Sequence, residues 1–368
     1  MLSQDFITAH LKKKTIVSRL LYPLSFFIQI YTILRRSFYD FFPSMSYKSK
    51  FKIISVGNIT AGGSGKTPFT LFLAKELIEK GHKIAIVLRG YKGNLENTNK
   101  LFSPPHIKLF QNNIPEESNL DWKKAGDEAS LYASNLPNTP ICVGKNRIKS
   151  IKLLEENFPD IDFIIMDDAF QHLKVVQDVK IVIFLAQNPV GNGFCLPAGM
   201  LREPISSLKY ADYFVINGDF STLNSPNLKK EMDRVFFQKL EKYNKQILFG
   251  GSTISDIKDF EGIRQDIKSL KNKKILLLSG IGSPQSFENT ILNAGITFQN
   301  HLSLTDHFNY SSDFFDLHKN YLSNYDIILT TEKDYNKLRY INCCLPIYVV
   351  YIRFSLCDQS VKFIQLQF

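Results

Sequence analysis

Residues 51–56 form an apolar, β-branched run, and Gly57-Asn58-Ile59-Thr60-Ala61-Gly62-Gly63-Ser64-Gly65-Lys66-Thr67-Pro68 follows at once. This order predicts a buried strand, a glycine-rich loop and a helix opening at Lys66-Thr67. Glycines let the backbone curl so that successive N–H groups face an anion, and the helix N-terminus adds a positive dipole. Lys66 would reach the outer phosphates of a nucleotide, and the Thr67 hydroxyl would serve Mg²⁺. The candidate phosphate cradle is therefore Thr60, Ala61, Gly62, Gly63, Ser64, Gly65, Lys66 and Thr67. Thr60 stands where the strict pattern has its first glycine, which makes this a variant P-loop.

The chain continues as alternating strand and helix signals. Strands are predicted over 83–88, 140–143, 163–166, 180–185 and 213–216, and helices over 67–80, 125–135 and 147–157. Short β-branched runs separated by helices imply a parallel sheet with helices on both faces. A second series, with strands at 274–279, 326–330 and 347–351 and a helix at 286–293, implies a smaller α/β domain. The expected division is a helical segment 1–45, a P-loop domain 46–225 and a second α/β domain 226–368. The polar stretch 92–124 is expected to be an excursion or lid, and the poorly patterned 220–230 marks the boundary. Gly280-Ile281-Gly282 lacks the third glycine of a dinucleotide fingerprint and reads as a structural turn.

With 368 residues, 44% of them hydrophobic and 22% charged, the chain is long enough for two cores and is not broadly disordered. A net charge of +10 favours an anionic partner such as nucleic acid, anionic lipid or a phosphorylated substrate. No basic–aromatic platform for single strands is evident, so nucleic acid is not expected, and neither is an obligate protein partner. Five cysteines with one vicinal pair and no C-x-x-C spacing fit a reducing compartment.

Near the N-terminus, Lys12, Lys13 and Lys14 precede an apolar stretch that Arg35-Arg36 close. Arg19, Pro23 and Gln29 interrupt it, so it is neither a cleavable signal nor a spanning helix. Ser25, Gln29, Thr32 and Arg36 recur at helical spacing as one polar stripe, opposite Leu20, Leu24, Phe27, Tyr31 and Leu34. Basic residues at both ends point to a helix lying in an anionic membrane surface. The alternative is an ordinary core helix.

Phosphoryl transfer needs Mg²⁺, donors for developing charge and a group that handles the attacking hydroxyl. An apolar strand ending in Asp167-Asp168 supplies candidate metal ligands together with Thr67. Asp127, in Gly126-Asp127-Glu128, starts a predicted helix and by itself reads as a cap. His172 and His307 lie in polar surroundings whose spacing alone assigns neither a role. Arg89 follows a predicted strand, placing it on the expected phosphate side of the sheet.

These motifs occur in a recognisable order. The variant P-loop is followed by Arg89-Gly90-Tyr91, Gly126-Asp127-Glu128, Asp167-Asp168-Ala169-Phe170-Gln171-His172 and Leu196-Pro197-Ala198-Gly199-Met200-Leu201-Arg202-Glu203-Pro204. Asp306-His307 and Thr331-Glu332-Lys333-Asp334 complete the set. Together they closely resemble the tetraacyldisaccharide 4′-kinase family of lipid A biosynthesis. Thr60 then matches the family's own form of the loop.

The resemblance implies a P-loop NTPase-like parallel α/β sheet with a second, smaller α/β domain and an N-terminal membrane-associated helix. It implies an ATP- and Mg²⁺-dependent enzyme at the cytoplasmic face of the bacterial inner membrane, peripheral or monotopic. That enzyme phosphorylates the 4′-hydroxyl of a lipid disaccharide 1-phosphate to form lipid IVA. Lys66 would contact phosphates, and Thr67 and Asp167 would serve Mg²⁺, with Asp168 beside them. Asp127 and His307 would form an acid–imidazole pair that activates the sugar hydroxyl. His307 would come from the second domain, so domain closure would complete the site. Arg89, His172 and Arg202 would contact substrate or phosphate, although Glu203 also allows Arg202 a purely structural ion pair. Glu332-Lys333-Asp334 has no evident physical role at this level.

Ala169 stands where the family has Gly, which would strain the turn by about 1 kcal/mol if positive φ is required there. Ala129 and Met200 replace usual prolines. Rival readings are a P-loop kinase or NTPase for another amphiphile or sugar, and a nucleotide-gated membrane-binding regulator.

Overall fold

The computed structural model describes residues 11–90, 100–102, 108–111, 114–117, 126–218 and 234–357. Most of the expected lid 92–124, and all of the boundary stretch 220–230, lie outside these residues. In chain order the strands are β1 (Lys52–Gly57), β2 (Ile84–Leu88), β3 (Lys100–Phe102), β4 (Lys108–Gln111), β5 (Ile114–Glu117), β6 (Ile141–Val143) and β7 (Phe163–Asp167). They continue as β8 (Val179–Leu185), β9 (Tyr213–Gly218), β10 (Gln246–Lys258), β11 (Ile275–Ser279), β12 (Asn300–Ser303), β13 (Ile327–Thr331) and β14 (Ile347–Leu356). The helices are α1 (Ile16–Leu20), α2 (Tyr22–Phe41), α3 (Lys66–Glu79), α4 (Asp127–Asn135) and α5 (Arg147–Asn157). After these come α6 (Arg234–Glu241), α7 (Pro284–Asn293), α8 (Phe314–Leu317), α9 (Lys319–Leu322) and α10 (Glu332–Leu338).

The chain packs as two units. The first comprises the described residues up to Leu88, Asn146–Gly251 and Leu356 onward; the second comprises Arg89–Lys145 and Ser252–Ser355. This differs from the expected boundary at 225/226. Residues 89–145 belong with the second unit because α4 packs on α10. The β10 strand, which weak β-formers Gly250 and Gly251 hid from sequence reading, contributes its first half to one unit and its second half to the other.

In the first unit the order β10-β9-β8-β1-β7-β2 is parallel throughout. Ile53, Ile54, Ile164 and Ile165 are fully buried, as strands covered on both faces require. Register pairs Val56 with Asp167, so the end of β7 lies beside the start of the glycine loop. That is the carboxyl edge, where ligands of open α/β sheets sit.

In the second unit β12-β11-β13-β14 is also parallel, with the second half of β10 next to β14. Side-chain alternation divides its core in two. Ile275, Leu277 and Leu329 pack with Phe287 and Ile291 of α7, while Leu276, Leu278 and Ile328 pack with Phe314, Phe315 and Leu322. The β3 and β6 strands pair antiparallel, as do β4 and β5.

The 20-residue α2 is inside-out relative to an ordinary surface helix. Its polar stripe faces the first unit. The Ser25 hydroxyl donates to the Cys195 carbonyl (2.7 Å) and accepts from the Ala198 N–H (2.9 Å). Arg36 donates to Glu203 (2.8 Å) and to the Phe170 carbonyl (3.2 Å), with its guanidinium over the Phe170 and Tyr210 rings. Leu20, Leu24, Phe27, Tyr31 and Leu34, the expected apolar face, are 57–75% exposed. A core helix would have the opposite orientation. No helix among the described residues is long and apolar enough to cross a membrane.

Candidate active site

The glycine loop is held from three sides. Asn58 Nδ2 donates to the hydroxyls of Ser64 (2.9 Å) and Thr60 (3.3 Å). Asn217, at the end of β9, donates to the Ser64 carbonyl (3.1 Å). The Arg202 N–H donates to the Ile59 carbonyl (2.7 Å) and the Ala61 N–H to the Met200 carbonyl (2.6 Å), so Thr60 bridges Leu201 in extended conformation. Positive φ falls at Gly62 (109°) and Gly65 (82°) and not at Thr60. That is why the loop dispenses with a first glycine and gains a hydroxyl there. Gly65 is the N-cap of α3 and no side chain caps the helix, so the N–H groups of its first turn point toward an anion subsite with the Lys66 ammonium beside it.

Asp167 and Asp168 diverge in role. Asp167 Oδ2 lies 3.4 Å from the Thr67 hydroxyl. A hydroxyl and a carboxylate at the carboxyl edge are hard oxygen donors of the kind that hold Mg²⁺ alongside phosphate oxygens, so these residues fit that ion. Asp168 instead accepts from Arg202 Nη1 on both oxygens (2.9 Å each) and lies 3.6 Å from the Lys66 ammonium. Burial opposes its ionisation, but Lys66 and then Arg202 hold its carboxyl below the usual range. Glu203 pairs with Arg36 and leaves Arg202 to Asp168. The left-handed residue of this turn is Asp168 (φ 50°), so Ala169 sits in ordinary backbone and carries none of the strain foreseen for it.

His172 is half-buried. Burial, then Arg147, Arg35 and Lys174, depress its imidazole to about 4, and a neutral ring brings no charge to a phosphate. Arg89 is exposed just after β2 and belongs to the second unit.

The second unit assembles a cluster around Asp127, the first residue of α4, which is only 3% exposed. Its Oδ2 lies 2.9 Å from His307 Nδ1 and accepts from Lys337 Nζ at 2.7 Å. Lys333 Nζ lies 3.2 Å from Asp306, 3.4 Å from Glu128 and 3.9 Å from Asp127. Burial disfavours the Asp127 anion, but the His307 hydrogen bond and then Lys337 outweigh it and keep the carboxyl below its ordinary range. His307 is itself left-handed (φ 61°), fixed by its N–H to the Gly280 carbonyl (3.1 Å).

The Thr331-Glu332-Lys333-Asp334 motif now has a physical role. Thr331 caps α10 through the Asp334 N–H (3.1 Å), and Glu332 accepts from Asn135 of α4 (3.1 Å). Asp334 accepts from the Gly280 N–H (3.0 Å), Thr331 (2.7 Å) and Tyr310 (3.1 Å). These bonds set the helix so that Lys333 and Lys337, four residues apart on one face, both reach the acidic cluster. Sequence reading missed Asn58, Asn217, Glu128 and Lys337. The i, i+4 lysines were the available signal for the last of these.

A parallel sheet with a glycine loop at its carboxyl edge, a lysine at a helix start and a carboxylate facing the loop threonine defines a P-loop phosphotransferase. Comparison with known proteins narrows this class. The tetraacyldisaccharide-1-P 4′-kinase family model matches residues 17–366, and the chain belongs to that family. A tetraacyldisaccharide 4′-kinase of Halothermothrix orenii is 33% identical over 359 residues, covering 91% of this chain and 89% of that protein. The Histophilus somni protein of the same name is 31% identical, covering 87% and 84% respectively. The crystal structure of LpxK from Aquifex aeolicus in complex with ATP superposes with a TM-score of 0.72 at 25% identity, over 96% of this chain and 99% of that one.

Proposed function

We propose that this protein transfers the γ-phosphate of ATP to the 4′-hydroxyl of tetraacyldisaccharide 1-phosphate, forming lipid IVA at the cytoplasmic face of the bacterial inner membrane. The observation that carries this reading is the His307–Asp127 hydrogen bond in a chain that also holds a P-loop. A nucleotide sensor needs no imidazole–carboxylate pair, whereas transfer to an alcohol needs a group that takes the hydroxyl proton.

In the first unit, the amides of the loop and of the α3 N-terminus bind phosphate oxygens, and Lys66 neutralises charge on the outer phosphates. Thr67 and Asp167 would hold Mg²⁺, which when bound offsets charge on the β- and γ-phosphates. Asp168 aims Lys66 and Arg202 at that region. In the second unit, the Asp127–His307 pair receives the proton that the sugar hydroxyl loses as its oxygen bonds to phosphorus and ADP departs. The outward apolar face of α2, flanked by exposed Lys12, Lys13 and Lys14, supports peripheral docking on anionic lipid from which the acylated substrate is drawn.

The test is phosphate transfer by pure protein with ATP and Mg²⁺ to the lipid disaccharide in detergent micelles. Lys66→Ala is expected to lower kcat/KM by at least about 10²-fold, the scale of losing one donor to a developing charge. An unlabelled lipid, or strong competition by soluble sugars, would transfer the case to a different P-loop kinase.

A further inference from the structure

The polar stripe of α2 is bonded to the segments that brace the glycine loop, and two connections lead from it to the phosphate cradle. The first runs through residues 195–203. Ser25, fully buried, accepts from the Ala198 N–H and donates to the Cys195 carbonyl, while Arg36 holds Glu203. The same segment pairs with the loop. The Met200 carbonyl accepts from the Ala61 N–H, the Arg202 N–H donates to the Ile59 carbonyl, and the Arg202 guanidinium reaches Asp168 beside Lys66. The second connection is a side-chain relay. Arg35 Nη1 donates to the Gln171 carbonyl (3.2 Å), and the Gln171 side-chain amide donates to the Asn58 carbonyl (2.7 Å). Asn58 Nδ2 then donates to the Ser64 and Thr60 hydroxyls. Asn58 and Ser64 are buried, so no water stands ready to replace a partner they lose.

The other side of α2 biases this arrangement. Its apolar face is largely exposed, which costs free energy in water. The bonded orientation therefore competes with rolled or frayed ones that hide those side chains and release Ser25, Arg35 and Arg36. A lipid surface removes the competition, because only the outward orientation presents the whole face to it. Nucleotide favours the same orientation from the opposite end, since phosphate is bound best by loop amides already aimed at it. Two ligands that select the same state of one element must strengthen each other by equal factors.

Resting on the membrane seating proposed above and extending it, we infer that α2 belongs to the frame of the nucleotide site, with Gln171 as a positioning residue, so that an anionic phospholipid surface on its apolar face and ATP in the glycine loop tighten each other's binding before any acceptor arrives. Protein away from the bilayer then holds ATP weakly. Loading occurs where the acylated acceptor resides, which limits loss of the γ-phosphate to water elsewhere.

Two binding measurements on the full chain, made without acceptor lipid, test this. A non-hydrolysable fluorescent ATP analogue with Mg²⁺ is titrated in buffer, with vesicles containing an anionic phospholipid, and with zwitterionic vesicles. Vesicle sedimentation is measured with and without saturating analogue. In wild type, anionic vesicles should tighten analogue binding about fivefold or more, and the analogue should tighten vesicle binding by the same factor. The analogue is itself repelled by an anionic surface, so its adsorption to lipid cannot imitate the gain. Phe27→Glu with Leu34→Glu should bind the analogue as wild type does in buffer and show no gain from vesicles. Gln171→Met nearly keeps the side chain's length but removes the donor to Asn58. It should sediment like wild type without nucleotide, while the mutual gain falls to about twofold or less. An analogue affinity that vesicles leave unchanged, although wild type sediments with them, overturns the inference. A gain in Gln171→Met equal to that of wild type does the same. Should Gln171→Met not fold, wild-type reciprocity decides. Protein that never sediments with vesicles refutes the membrane seating. The frame is then read from hydrogen exchange of α2, which the analogue should slow, and exchange indifferent to the analogue sinks it. Lipid left unphosphorylated in the kinase assay would refute the kinase reading and leave these binding results standing.

Discussion

Gly65 shows how narrowly the loop is specified. It combines φ 82° with an Asn217 amide so close that an added Cβ would overlap its Nδ2. Gly65→Ala is expected to cost about 1–2 kcal/mol for the backbone alone and to weaken binding of a fluorescent ATP analogue at least about tenfold. Adding Asn217→Ala should remove the collision but not the backbone cost, so urea unfolding of the four-protein cycle should reveal positive coupling between the sites. His172 carries a prediction of a different kind. Its unfolded value is near 6.5 and its folded value about 4, so the unfolded chain takes up the proton first. Stability is therefore unaffected above about pH 6.5 and falls by up to a few kcal/mol as pH drops towards 4. The urea midpoint of His172→Gln should decline less steeply than wild type between pH 7 and 4.5.

At this scale the sequence was legible where local pattern marks an element's end: Lys66 and Thr67 open the helix that follows the glycine loop, and Asp167 ends an apolar strand. Asp168 was read only as a metal ligand beside Asp167, because nothing in the order of residues shows that the Lys66 and Arg202 cations meet its carboxylate. The strain expected at Ala169 was misplaced by one residue, since periodicity does not reveal which member of a turn is left-handed.

Among the elements, α2 and α10 teach the most. Apolar residues on α2 were legible from spacing alone, but only their exposure shows that the helix turns its polar stripe inward. Phe27→Glu with Leu34→Glu is expected to abolish flotation with vesicles containing an anionic phospholipid. Both side chains are exposed, so circular dichroism and ATP-analogue binding should hold, each surface change costing no more than about 0.5 kcal/mol. Deleting residues 1–40 would be a poorer test, because Glu203, 1% exposed, would lose Arg36. The short α10 escaped prediction because Glu332 to Leu338 has too few apolar residues to show a period. Tertiary bonds supply what pattern lacks: Thr331→Val should remove the cap and the Asp334 contact at a cost of about 1–2 kcal/mol, measured by thermal unfolding.

Over the whole molecule, two features act together. The +10 charge is spread across a chain whose membrane-facing candidate is a single helix with lysines at its border. Association with anionic vesicles should therefore weaken as salt rises, while the apolar contribution remains. Vesicle sedimentation at about 50 and about 500 mM salt, between which the Debye length shortens about threefold, distinguishes this from purely apolar adsorption, which salt would not weaken. The two-unit plan was only half legible. The sequence showed two α/β series, but the return of residues 89–145 to the later half depends on long-range packing of α4, which no local pattern encodes.

The wiring of α2 also has a consequence for synthesis. The groups that satisfy Ser25 and Arg36 come 170 and 167 residues later. At about 5–20 residues per second a ribosome needs about 10–30 s to deliver them. For that interval the helix has an apolar face to bury and no protein yet made against which its polar stripe can settle. On the proposed reading, lipid is its first folding partner and the rest of the enzyme is completed on a segment already at the bilayer.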